Sequence, residues 1–132
     1  MRARTGPITP RITRQDAERL QGAWERVAIV HGASRYGPNP DDVLTFRSNQ
    51  FEVRESGKLT LAGTFEIIDA AATPKQMDLV CTEGRHKGKR LRAVYRLDGN
   101  RLETCTDSGD DDRPKMLSGA RGFYRDLRRK NP

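Results

Sequence analysis

Thiols, imidazoles and aromatic rings are scarce in this sequence: two cysteines, two histidines, and one Trp, three Tyr and four Phe among 132 residues. Two cysteines cannot build the framework of a disulfide-dense secreted domain, and there is no CxxC pair. Both are expected as reduced thiols. His31 and His86 come without HExxH or a second metal-ligating pair, so a zinc site lacks ligands. There is no Gly-x-Ser-x-Gly elbow and no recognisable nucleophile–base pair. The expectation is a protein that is not an enzyme and carries neither metal nor cofactor. Long hydrophobic runs are missing as well. No stretch approaches the ~18–20 residues of a membrane helix, and the polar, proline-broken residues Met1 to Pro10 hold no signal-peptide core. A cytoplasmic protein with no membrane insertion is expected.

Charge of one sign is in short supply: 18 Asp and Glu stand against 25 Lys and Arg, a net +7. Such a surplus favours solubility and weak attraction to polyanions and says nothing about fold. Part of it is terminal, at Arg2, Arg4, Arg11 and Arg14 and again at Arg125, Arg128, Arg129 and Lys130.

What is present is a rhythm of period two. Residues 1–12 have no periodicity and read as a flexible arm, leaving one domain over residues 13–132. Thr13 with Asp16 three residues on looks like a capping box, and Arg14–Gln21 is predicted as a short helix ended by Gly22. From Ala23 the pattern becomes that of strands. Trp24, Arg26, Ala28 and Val30 share one face of the first. Val43–Arg47 and Gln50–Arg54 follow, then Lys58–Ile68 with Leu59, Leu61, Gly63, Phe65 and Ile67 in phase. Gln76–Thr82, Lys89–Leu97, Arg101–Thr106 and Gly122–Arg129 complete the set, with Asp98-Gly99-Asn100 as a hairpin turn. Cys81 shares a phase with Met77 and Leu79, whereas Cys105 opposes Leu102. The two thiols are therefore expected on opposite faces.

Eight short strands at hairpin spacing, with no helix between them, exclude parallel βαβ architecture. An all-β, eight-stranded antiparallel up-and-down barrel preceded by a short helix removes its own edges by closing. A two-sheet sandwich is the alternative, though its Greek-key crossings need longer links. The predicted inward set is Trp24, Phe46, Phe51, Val53, Leu61, Phe65, Met77, Leu79, Leu91 and Tyr95. Gly63 and Ala93 are small members that could leave room. An eight-stranded barrel either fills with side chains or holds one small ligand, and the pattern leaves both open.

Gly22-Ala23-Trp24, a Gly-x-Trp opening the first strand after a helix, resembles the lipocalin entrance motif. The resemblance extends to the small lipocalin-like domains of bacteria best known from planctomycetes. It is carried by Leu20–Trp24, Leu44-Thr45-Phe46, Gly63–Asp69, Pro74–Leu79, Glu83–Lys89, Val94–Leu102 and Arg113-Pro114, spread in order over residues 18–129. It implies a calycin-like barrel closed at one end by Gly22 and Trp24, with a basic side chain of the last strand across the indole. By phase with Phe123 and Leu127 that side chain is Arg125, with Arg128 second. The resemblance brings no settled activity.

Two loops invite chemistry. Gly84–Arg90 concentrates Arg85, His86, Lys87, Lys89 and Arg90, but its glycine spacing is not that of a Walker A loop and it joins strand to strand. It reads as an exposed basic hairpin that at most attracts a polyanion. Asp107, Asp110, Asp111 and Asp112 lack the alternation and terminal Glu of an EF-hand. The expected function is a lipocalin-like module for a small apolar or amphipathic molecule bound by Trp24, Phe46, Phe51, Phe65, Met77, Leu79, Leu91 and Tyr95. A filled barrel whose basic surface contacts protein or nucleic acid is the alternative.

Overall fold

The computed structural model describes residues 11–107, 112–120 and 122–130. One helix, α1 (Arg11–Leu20), precedes nine strands: β1 (Gly22–His31), β2 (Ser34–Tyr36), β3 (Asn39–Arg47), β4 (Gln50–Glu55), β5 (Lys58–Asp69), β6 (Lys75–Gly84), β7 (Arg90–Asp98), β8 (Arg101–Asp107) and β9 (Gly122–Arg129). Every neighbouring pair is antiparallel, and β9 returns to pair with β1. The result is a closed up-and-down barrel of eight strands, with β2 as an extra strand on β1. Closure follows from the sequence of hairpins: each strand pairs with the next, and joining the two ends leaves no long open edge. Among the described residues no helix is long and apolar enough to cross a membrane.

Helix α1 starts at Arg11, inside the segment expected as an arm, so Thr13 lies within the helix and is not its cap. Residues 1–10 lie outside the described residues. Asp16 does not turn back to the helix start. It is fully buried, accepting from Tyr95 Oη at 2.6 Å and Lys75 Nζ at 2.8 Å. The helix end is closed by other side chains. Gln21 Nε2 donates to Ala17 O, Trp24 Nε1 to Leu20 O, and Arg129 to the oxygens of Arg19 and Gln21. The backbone N–H of Gln21 reaches Glu18 O. All the terminal carbonyls that a helix leaves without partners are thereby satisfied. Gly22, at φ 111°, then turns the chain into β1, a conformation open to glycine and strained for other residues.

This helix plugs one end of the barrel. Leu20 and Trp24 join Leu44, Phe46, Phe51, Leu61, Phe65, Met77, Cys81, Ala93, Tyr95, Leu102 and Leu127 in one core. The period-two reading of the inward faces is matched throughout, with two local exceptions. A bulge between Arg26 and Ala28 shifts the phase of β1: Ala28 pairs with Asp126, while Ile29 pairs with Arg125. A second irregularity pairs Leu59 with Arg54, which turns Leu59 outward and leaves it 38% exposed. Strand β2 carries three exposed residues, so hydrophobic alternation could not have announced it. Gly63 is small for a reason other than interior room. A Cβ there would meet the carbonyl oxygen of Val80 at 1.8 Å, so the glycine permits β5 to bend across β6.

A second layer covers part of the outside. Arg113 donates to the oxygens of Met77 and Ala93 and to Asp78, and Cys105 Sγ donates to Ser118 O. These contacts hold the 112–120 segment over the outer face of β6–β9, burying Val94 and Cys105. Both cysteines are free, Cys81 in the barrel core and Cys105 outside it, as their opposite phases require.

Candidate binding site

The closed end is settled by Trp24. The cation across its ring is Arg129, whose guanidinium carbon lies 4.2 Å from the ring centroid. Arg125, expected there, and Arg128, its second, are elsewhere. Arg128 reaches Glu25 at 3.5 Å on the outer face. The phase was read correctly, since Arg125 and Arg129 both share the inward face of Leu127, but the strand sits four residues further along. Its register is set by pairing of Trp24 with Arg129, which no local pattern records.

The apolar residues expected to receive a ligand do converge. Trp24, Phe46, Met77 and Tyr95 are at most 1% exposed, and Phe51 and Phe65 pack with them. Phe46 and Phe65 meet edge-to-face at 4.8 Å between centroids. These side chains fill the closed half against each other. Leu79 and Leu91, together with Val53, pack on that core while keeping partial exposure.

The other half of the interior face is charged. Along β1, β3, β4 and β9, the positions two residues beyond core members are Arg26 after Trp24, Asp42 before Leu44, Glu55 after Val53 and Arg125 before Leu127. Period two directs all four to the interior. Arg26 pairs with Asp42, and Glu55 pairs with Arg85 from the β6–β7 hairpin. Asp42 also accepts from Ser56 N–H. Arg125 is different. Among the described residues no carboxylate lies within ion-pair distance of it; its guanidinium carbon lies 5.9 Å from the Phe123 ring centroid. Phe123 in turn stacks on His31 at 4.0 Å. Thr104 pairs with Arg125 and Thr106 with Phe123 across β8–β9, so their hydroxyls share the interior face. Among the described residues neither hydroxyl makes a side-chain hydrogen bond.

No family model, curated protein or solved structure matches this chain.

The electrostatics of this charged half follow from the arrangement. Burial lowers the Arg125 pKa, with nearby Glu55 opposing that effect and Arg85 adding to it. Burial also lowers the His86 pKa, helped by the positive charges of Arg85, Lys89 and Arg125. The basic hairpin is exposed, as expected, yet not isolated from the barrel. Its Arg85 is tied to the barrel rim, and His86 lies within the field of Arg125. The acidic loop is less accessible to description: residues 108–111 lie outside the described residues. Two grooves of about 390 and 360 Å³ lie elsewhere, one beside Pro74 and Arg113, the other over Thr45, Glu52 and Thr64. Arg113 in the first is already engaged with Asp78 and two carbonyls.

The apolar half of this interior was readable from hydrophobic alternation. The charged half was missed because charged residues at strand ends look like solvated ones. The available signal was phase: each of Arg26, Asp42, Glu55 and Arg125 continues the inward row of its strand.

Proposed function

We propose that this chain is a small-molecule binding module of the lipocalin-like kind, taking an amphipathic ligand into the charged half of its barrel. The observation that carries the reading is Arg125, an inward-facing guanidinium with no carboxylate in ion-pair distance among the described residues. Removing a charge from water is costly unless a partner replaces the lost hydration, and core positions that serve packing alone are held by apolar side chains. Half-buried Ile29, Val53 and Leu91 supply apolar wall around it. The filled closed half gives the site a floor, so the ligand contacts this upper layer rather than Trp24, Phe46 or Met77.

Ion pairing favours this reading over a nucleic-acid surface. Arg26, Arg54, Arg85, Arg90, Arg96, Arg101, Arg113 and Arg128 each have a carboxylate partner. These eight arginines are committed to carboxylates, whereas binding to phosphate backbones draws on uncommitted cations.

Native mass spectrometry of gently purified protein, together with displacement of a fluorescent fatty-acid probe, tests the proposal. A retained small molecule or saturable displacement is expected. A clean apo mass with no probe binding overturns it. Salt-sensitive retention on DNA without probe binding supports the alternative instead.

A further inference from the structure

We propose that the groove beside Pro74 and Arg113, on the outside of the barrel, is a separate binding site for a phosphate monoester. It does not depend on the interior reading above. The groove measures about 390 Å³. One side is the loop after β5, through Thr73 and Pro74, and the other is the 112–120 segment, through Arg113–Lys115. The cross-strand pair Gln76 and Val94 lies between them.

The polar lining of this groove can donate throughout. Arg113 Nη1 donates to Met77 O at 3.0 Å and Ala93 O at 2.8 Å, and its Nη2 to Asp78 Oδ1 at 2.7 Å. A guanidinium carries five N–H groups, so two remain, and no described residue accepts from them. The side chains of Thr73, Gln76 and Lys115 likewise make no hydrogen bond or ion pair among the described residues. No carboxylate lines the groove, whereas the 360 Å³ groove over β3–β6 holds Glu52 and Glu83. An anion therefore fits the first groove and not the second.

Arg113 is built into the fold. Its side chain is 17% exposed and that of Asp78 only 3%. A guanidinium already fixed on three acceptors loses little freedom when an anion arrives. Asp78 accepts from Arg90 as well as Arg113, so this triad keeps one positive charge. The Lys115 ammonium adds a second. A phosphate monoester answers with a charge of about −1.5 to −2 and three acceptor oxygens; a carboxylate brings one charge and two oxygens. Half-buried Ala72, Pro74 and Pro114 supply apolar wall for the organic part of the ester.

Isothermal titration of the full chain with phenyl phosphate, inorganic phosphate and benzoate tests the assignment. Phenyl phosphate is expected to bind saturably and more tightly than inorganic phosphate. It is expected to exceed benzoate by at least about tenfold, the factor that one further charge-assisted hydrogen bond supplies. Lys115→Met removes an exposed cation, and Gln76→Glu brings a carboxylate into the groove. Each is expected to weaken phenyl phosphate at least about fivefold while keeping the circular dichroism spectrum and the response to the fatty-acid probe. No binding of phenyl phosphate, or equal affinity for benzoate, overturns the phosphate assignment. Equal affinity for inorganic phosphate overturns the organic body. Unchanged affinity in both variants overturns the location, and displacement of the fatty-acid probe by phenyl phosphate overturns the separateness of the site. A chain that binds phenyl phosphate but not the probe supports this site and overturns the interior reading. The wild-type comparisons need no variant, so the test survives if either substitution fails to fold.

Discussion

The guanidinium of Arg129 stands 4.2 Å over the Trp24 ring while its nitrogens donate to Arg19 O at 2.7 Å and Gln21 O at 2.8 Å. One side chain of the last strand thus covers the indole and closes the helix. Arg129→Ala is expected to cost roughly 2–3 kcal/mol, from a cation–π contact of ~0.5–2 and charge-assisted hydrogen bonds of similar size. Arg129→Lys keeps the charge, loses the fork, and is expected to fall between the two. Urea denaturation checks this; an alanine variant as stable as wild type contradicts the closure described for Arg129.

Asp16 links the helix to the barrel through Tyr95 and Lys75, with its Oδ1 unpartnered among the described residues. Asp16→Ala strands the buried phenol and is expected to cost roughly 3 kcal/mol. Asp16→Asn retains an acceptor for Tyr95 and is expected to cost less. Thermal unfolding of the two variants gives the order.

Gly63 and Gly88 separate crowding from backbone strain. A Cβ on Gly63 would collide with the Val80 backbone, whereas one on Gly88 meets nothing within 4 Å but sits at φ 86°. Gly63→Ala is expected to lose roughly 3 kcal/mol or more. Gly88→Ala is expected to lose about 1 kcal/mol from its backbone alone. Equal losses in denaturant titrations would contradict the close approach of β5 and β6.

Two phenols are held protonated. Burial, then the hydrogen bond to Glu103, pushes Tyr124 up to about 12, and burial with the Asp16 bond raises Tyr95 further. In an unfolded chain both would ionise near ~10. The fold therefore keeps protons that the unfolded chain releases, so their stabilisation is fully present below pH ~10 and is lost as pH rises toward 12. Denaturation midpoints from pH 9 to 12 should fall accordingly, with a shallower fall in Tyr124→Phe. A flat profile contradicts this.

Arg125 places a charge where packing alone would use an apolar group. Arg125→Met is expected to raise stability by about 1 kcal/mol, because it removes a half-buried cation that has no carboxylate partner among the described residues. That gain would come with weaker binding of the fluorescent fatty-acid probe, the exchange between stability and activity common at functional positions. A destabilised variant would show that the guanidinium serves the fold.

Much of the architecture was legible because alternation is local. Leu61, Phe65, Met77 and Tyr95 each declare a face through neighbours two residues away, and Asp98-Gly99-Asn100 declares its hairpin. The bulge after Arg26 was hidden, since the apolar run around Val27 and Ile29 is compatible with either phase. The start of β3 at Asn39 was hidden by Pro40 and two aspartates, which mimic a loop until Asp42 is seen facing Arg26.

The sequence by itself determined the number of barrel strands, their antiparallel order and the inward rows, because these depend on residues within a few positions of one another. Tertiary structure alone decided that Arg129, and not Arg125, covers Trp24, and that Arg26, Asp42, Glu55 and Arg125 lie near one another. Those facts depend on where the first and last strands meet, a pairing across the whole length of the chain whose register is chosen by packing at closure.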